Sequence, residues 1–132
     1  MNDAPAVNIL IVDDDKFLLD MYVMKFTQQG YNVHAALSAN DAVEILKQGF
    51  PADVIVFDLI MPDCDGFQFL ERIRDGKLGE KALKVALTNQ STDAEKEKAH
   101  QLGADHFIVK ATMIPSEVVN MVDTVLKAGK AS

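Results

Sequence analysis

Apolar positions along this chain alternate between two rhythms. Short, nearly continuous runs occur at Asn8–Val12, Asn32–Leu37, Val54–Phe57, Lys84–Leu87 and His106–Val109. Their β-branched residues, among them Ile9, Ile11, Val12, Val54, Ile55 and Val56, favour extended backbone and predict five strands. The stretches between them have helical spacing. Phe17, Leu18, Met21, Tyr22, Met24 and Lys25 predict a first helix that stops at Gly30. Ser38, with Asp41 three residues on, reads as the capped start of a second helix through Val43, Ile45 and Leu46 to Gly49. Phe67, Phe69, Leu70 and Ile73 form a third apolar stripe ending at Gly76. Thr92 and Glu95 cap a charged fourth helix that stops at Gly103. Val118, Val119, Met121, Val122, Val125 and Leu126 mark a fifth, ending at Gly129.

A strand followed by a helix, five times over, predicts an α/β fold with a parallel sheet covered on both faces. Right-handed crossovers put all strand C-termini on one edge, and ligands of such sheets bind outside that edge. Chemistry should therefore follow the apolar runs directly. The first run ends in Asp13-Asp14-Asp15, the third in Asp58, the fourth in Thr88 and the fifth in Lys110. Asp15 directly precedes a helix and reads as its cap. Adjacent first and third strands would gather Asp13, Asp14 and Asp58 into one pocket. Two like charges 4 Å apart repel by about 4 kcal/mol at the dielectric typical near a protein surface, so such a cluster needs a cation. An all-oxygen ligand set selects a hard ion, magnesium foremost and manganese as the alternative. A carboxylate beside that ion can accept a phosphoryl group, with the Lys110 ammonium and Thr88 hydroxyl at hand.

Composition narrows the function classes. The chain has 132 residues, 48% hydrophobic and 25% charged, in the range of a single globular domain. Twenty acidic residues against thirteen basic ones give a formal charge of −7, which argues against direct nucleic-acid binding. No apolar run approaches the roughly 20 residues that span a bilayer, and no secretion signal precedes the first strand, so a cytoplasmic protein is expected. The lone Cys64 forms no intrachain disulfide and reads as a loop thiol. His34, His100 and His106 have no metal-ligand spacing. Glycine-rich phosphate loops, nucleophile elbows and EF-hand spacing are absent from the sequence, and the Asn89-Gln90-Ser91 sequon adjoins the expected site. The methionines are read as mostly core-facing.

The runs Ile9-Leu10-Ile11-Val12-Asp13-Asp14-Asp15 and Asp58-Leu59-Ile60-Met61-Pro62-Asp63-Cys64-Asp65-Gly66, with Thr88 and Gly103-Ala104-Asp105 before Lys110, resemble the receiver domains of two-component response regulators. The resemblance implies a flavodoxin-like (CheY-like) doubly wound five-stranded sheet with five helices. Its strand order 2-1-3-4-5 is carried over from the family's chemotaxis member. It implies a receiver at 7–128 between tails at 1–6 and 129–132. Asp58 would be the phosphoacceptor, ligating magnesium with Asp14 and the backbone carbonyl of Ile60, while Asp13 acts through a coordinated water. Thr88 would swing to the phosphoryl group, Lys110 would pair with it, and Phe107 would be the aromatic switch. Pro62 and Gly66 would shape the loop after the third strand. Expected partners are a sensor histidine kinase or phosphotransfer protein upstream, and downstream a protein target or separate output domain reading the fourth-helix, fifth-strand, fifth-helix surface. The chain is read as a regulator that docks alone or as part of a longer one.

Three departures from the pattern modify this expectation. Ala111 replaces the usual proline after Lys110, which predicts a trans peptide and a rearranged loop, unsettling the placement of Lys110. Asn89 is bulkier than the usual residue after the switch threonine and narrows the approach to Asp58. Ile60 and Gln90 occupy positions where the family tunes the approach of hydrolytic water; Ile60 cannot orient one, so a long-lived aspartyl phosphate is expected. Two competing functions fit the sequence less well. A haloacid-dehalogenase-type phosphatase needs a second Asp where Ile60 stands, and a pseudo-receiver that docks unphosphorylated sits poorly with the intact acidic set.

Overall fold

The computed structural model describes residues 6–61, 64–89, 92–110 and 114–128. Expectations that rest on Pro62, Gln90, Ser91, Ala111 or Gly129 fall outside these residues. The elements run β1 (Asn8–Val12), α1 (Lys16–Gln28), β2 (Asn32–Ala36), α2 (Ala39–Lys47), β3 (Val54–Asp58), α3 (Gly66–Asp75), β4 (Leu83–Thr88), α4 (Asp93–Gln101), β5 (His106–Val109) and α5 (Pro115–Ala128). The strands form one parallel sheet in the order β2-β1-β3-β4-β5. The fold class and strand order are therefore those implied by the sequence.

Alternation along each strand divides the core in two. Leu10, Val12, Ile55, Phe57 and Ala86 face α2, α3 and α4. Ile9, Ile11, Val54, Val56, Val85 and Leu87 face α1 and α5. Both sheet faces are thus covered, which accounts for the near-continuous apolar runs of β1, β3 and β4.

Local signals set the helix ends. Asp15 caps α1 by accepting from the Leu18 amide, and Ser38 caps α2 by accepting from Asp41. Thr92 and Glu95 form a reciprocal capping box on α4. Gly30, Gly49 and Gly103 adopt positive φ just past their helices, where a side chain would be strained. At the end of α3 the left-handed residue is Lys77, one beyond the expected Gly76.

Two side-chain expectations are corrected. The buried face of α1 is Leu19, Tyr22 and Phe26, spaced i, i+3, i+7, while Phe17 is 78% and Met24 51% exposed. The methionines among the described residues are not mostly core-facing: Met24 and Met121 are exposed and Met21 is half-buried, whereas Met61 is in the core. Apolar content on two faces of one helix made the direction of burial ambiguous, and packing against the sheet and α5 resolved it. Cys64 is a loop thiol, as expected, but it is buried in the α2/α3 side of the core.

Two aspartates close the N-terminal edge of the sheet. The Asp53 carboxylate accepts from the Asn8 amide at 2.8 Å, while its own amide donates to the Asn8 carbonyl. Asp105 does the same with Lys84, whose amide donates to its carboxylate at 2.9 Å. Each acid sits just before a strand and ties it to its neighbour.

Candidate functional site

The C-terminal edge of the sheet gathers the acids. In the β1–β3 register Val12 pairs with Phe57, so the residues that follow, Asp13 and Asp58, emerge side by side. Asp14 completes the group: one carboxylate oxygen from each of the three acids lies within 4.8 Å of the others. Asp13 is 1% and Asp58 7% exposed, whereas Asp14 is open to solvent.

Lys110 lies across this group. Its Nζ is 3.0 Å from Asp13 Oδ2 and 3.0 Å from Asp58 Oδ2, with both carboxylates and the ammonium buried. The remaining oxygens of the two acids receive backbone amides two residues on. Asp15 N–H donates to Asp13 Oδ1 at 2.9 Å, and Ile60 N–H donates to Asp58 Oδ1 at 3.2 Å. These local bonds fix the carboxylate planes without using a further side chain. Lys110 reaches both acids despite the Ala111 that follows it, while the Lys110–Ala111 peptide and the loop beyond it lie outside the described residues.

Burial governs the charges. It pushes the Asp13 carboxyl above its usual range, against the opposing pull of the Asp15 amide and of Lys110. Burial alone would depress the Lys110 ammonium, but Asp58 and Asp13 together outweigh it and hold its pKa above the ordinary lysine value. The Tyr22 phenol, buried in α1, is pushed up to about 12, chiefly by desolvation, and feels Lys110, Asp13 and Asp58 through the electrostatic field.

Thr88 ends β4, buried, in register with Val109, the residue before Lys110. Leu87 pairs with Asp58, so Thr88 stands one residue beyond the phosphoacceptor candidate's partner. Phe107 pairs with Ala86 and is half-buried against the α2/α3/α4 side of the core. Asn89 is exposed at the rim. Ile60 follows the site with its side chain 72% exposed.

Gly66 brings the next helix against this edge. A Cβ at that position would lie 2.7 Å from Leu59 Cα and 2.9 Å from the Asp58 carbonyl oxygen, so only glycine permits the approach. Asp65 then caps α3 through a reciprocal box with Gln68.

The donor set fits a hard divalent cation. Three converging carboxylates supply oxygen alone, and the solvent-open Asp14 leaves room for the waters magnesium retains. Asp13, Asp14 and Asp58 would hold the ion, and they would share the site with Lys110. Sequence reasoning placed all these residues but missed the double ion pair of Lys110 and the two amide bonds. The Asp-to-i+2 pattern at a strand end is a turn signal that could have disclosed those amide bonds; the ion pair joins residues 97 and 52 positions apart and has no local signal.

A family model for the response regulator receiver domain matches residues 9–123. Among solved structures, the fold is similar to Vibrio cholerae chemotaxis protein CheY4, at 24% identity over 92% of this chain and 99% of that one, with a TM-score of 0.83. A CheY-like receiver domain protein from Methanospirillum hungatei is 25% identical over 94% of this chain and 96% of its own, with a TM-score of 0.82. The Thermotoga maritima response regulator DrrB, an OmpR/PhoB homologue, is 27% identical with a TM-score of 0.78; it matches 96% of this chain, which covers 55% of DrrB.

Proposed function

The chain belongs to the response regulator receiver domain family, and on that premise we propose that it is a phosphorylation-controlled switch with Asp58 as its acceptor. The donor is a phosphohistidine of a sensor kinase or phosphotransfer protein. A carboxylate oxygen of Asp58 forms a bond to phosphorus as the bond from phosphorus to the donor nitrogen breaks. The observation that carries this reading is the buried Lys110 ammonium held 3.0 Å from both Asp13 and Asp58 at the converging strand ends.

Asp13, Asp14, Asp58 and the Ile60 carbonyl are the proposed magnesium ligands, Asp13 through water. When bound, the ion supplies positive charge against the transferring phosphoryl oxygens. Lys110 is the fixed cation of the site and remains paired with the modified residue. The Thr88 hydroxyl turns toward the added phosphoryl group. Phe107, paired with Ala86 two residues before Thr88, follows that movement and changes the α4-β5-α5 surface that a protein target or output domain reads. Phe107 has no hydroxyl, so the change is transmitted by packing alone. Ile60 offers no polar atom to orient a hydrolytic water, which favours a slowly hydrolysing phosphoryl group. Receivers of this family are switches rather than turnover enzymes.

Intact mass after incubation with magnesium and acetyl phosphate tests the assignment. The parent should gain one phosphoryl group and Asp58→Asn none. Equal labelling of both would remove Asp58 from its role. The same sample, followed after the donor is removed, reads the lifetime; loss within seconds would refute the part assigned to Ile60.

A further inference from the structure

Helix α4 is the least anchored helix among the described residues. It buries one residue, Ala99, whereas α1, α2, α3 and α5 each bury three or four. Ala99 joins the α2/α3 side of the core with a single methyl group, which interlocks little with its surroundings. The capping box of Thr92 and Glu95 stabilises α4 as a helix but ties it to nothing else. A tie to the rest of the fold is supplied by Lys98, whose Nζ lies 4.4 Å from the centroid of the Phe67 ring on α3. Phe67 is itself partly buried against the core. Towards their C-termini α3 and α4 part around a cavity of about 270 Å³, lined by Leu70, Ile73, Arg74, Leu102 and Gly103 among others. The Phe67–Lys98 contact therefore joins two helices that are poorly packed beyond it.

Phe67 is also the second residue of α3. Gly66, just before it, donates its amide to the Leu59 carbonyl at 2.8 Å and leaves no room for a Cβ against Leu59 and the Asp58 carbonyl. A shift of the segment after Asp58 must carry the first turn of α3 with it. We propose that the Phe67–Lys98 contact is a latch that holds α4 on α3 in the unphosphorylated protein and is weakened when Asp58 is modified. This route runs through α3 and is separate from the one through Thr88 and Phe107; its link to Asp58 rests on the function proposed above. By linkage, a contact that favours the resting arrangement opposes phosphorylation, so its removal promotes it.

The test compares Phe67→Leu, Lys98→Met, the double variant and Lys98→Arg. Native-state amide hydrogen exchange across Ala94–Gln101 reads the latch without any phosphodonor, with the amides of α1 and α2 as the internal reference. Each single variant should exchange about two- to fivefold faster in α4, the range of an exposed cation–π contact. The double variant should exchange no faster than either single, and Lys98→Arg should restore the parent rate because a guanidinium also sits on a ring face. Phosphoryl gain from acetyl phosphate should accelerate by a similar factor in Phe67→Leu and Lys98→Met. Unchanged or strictly additive exchange, or failure of Lys98→Arg to restore it, would overturn the latch. Faster exchange with unaltered phosphoryl gain would overturn its link to Asp58. Absence of phosphoryl gain in the parent would sink the functional reading and that link, leaving exchange to decide the latch.

Discussion

The two edges of the sheet use aspartate in opposite ways. At the N-terminal edge, Asp53 and Asp105 stand apart, each exchanging two hydrogen bonds with the backbone of the adjacent strand. Their charge is met by peptide dipoles, and the result is register between β1 and β3 and between β4 and β5. At the C-terminal edge, Asp13, Asp14 and Asp58 crowd together, and backbone amides satisfy only one oxygen each of Asp13 and Asp58. The rest of that negative charge needs a cation. Lys110 meets part of it, and the remainder leaves a carboxylate group that could hold a divalent ion. An acid paired with backbone is structure; acids pressed against one another are stored chemistry.

Removing Lys110 should disturb the crowded edge most. Lys110→Met leaves two buried carboxylates without their cation and should cost about 3–5 kcal/mol in urea unfolding without divalent ions. Added magnesium should then stabilise the variant more than the parent, because the ion takes over neutralisation from the ammonium. A loss below about 1 kcal/mol would mean that the acids are effectively solvated, and the contrast between edges would fail.

Gly66→Ala probes the same edge through shape. The added methyl meets backbone, which cannot yield as a flexible side chain would, so stability should fall by about 1–3 kcal/mol. Phosphoryl gain should slow as well, since the clash bears on the Asp58 carbonyl. A variant that labels at the parent rate would show that the first turn of α3 need not press on the site.

The N-terminal edge should respond in stability alone. Asp53→Ala and Asp105→Ala should each cost about 1 kcal/mol, the usual worth of a hydrogen bond to backbone, and leave phosphoryl gain unchanged. Slower labelling in either would erase the distinction.

Alkaline pH sharpens the comparison with the smallest effect. Tyr31, just before β2, donates its hydroxyl to Asp123 at 3.0 Å, and burial together with that acid raises its pKa. Lys110 is raised at the other edge. Groups with raised pKa values contribute stability below their unfolded values of about 10, and lose it as pH climbs through the folded ones. Unfolding free energy should therefore decline from about pH 10 upward. Tyr31→Phe should flatten that decline in part while leaving labelling intact at neutral pH. An unaltered slope would place the alkaline loss at Lys110 and its neighbours.

Much of this was legible in the chain. The strands β1 and β5 coincide with their apolar runs; β3 extends one residue past its run and β4 one residue at each end, because hydrogen-bonded pairing outlasts the apolar pattern, while β2 stops one residue short at Ala36. The caps of Asp15, Ser38 and Thr92 are local side-chain-to-backbone bonds, and local sequence carries them. The α1 face was harder: Phe17 and Met24 are as apolar as Leu19 and Phe26, and only the neighbours decide which stripe is buried.

The amino-acid sequence by itself determined the alternation of strands and helices, and hence the edge on which Asp13, Asp14, Asp58, Thr88 and Lys110 emerge. Both follow from short-range periodicity and the handedness of the crossovers. Only the tertiary structure decided that one ammonium bridges two of those acids, that Gly66 admits α3 against them, and that Lys98 of α4 lies over the Phe67 ring of α3. Those are contacts between distant segments, set by packing and shared burial, and no local pattern encodes the distance between them.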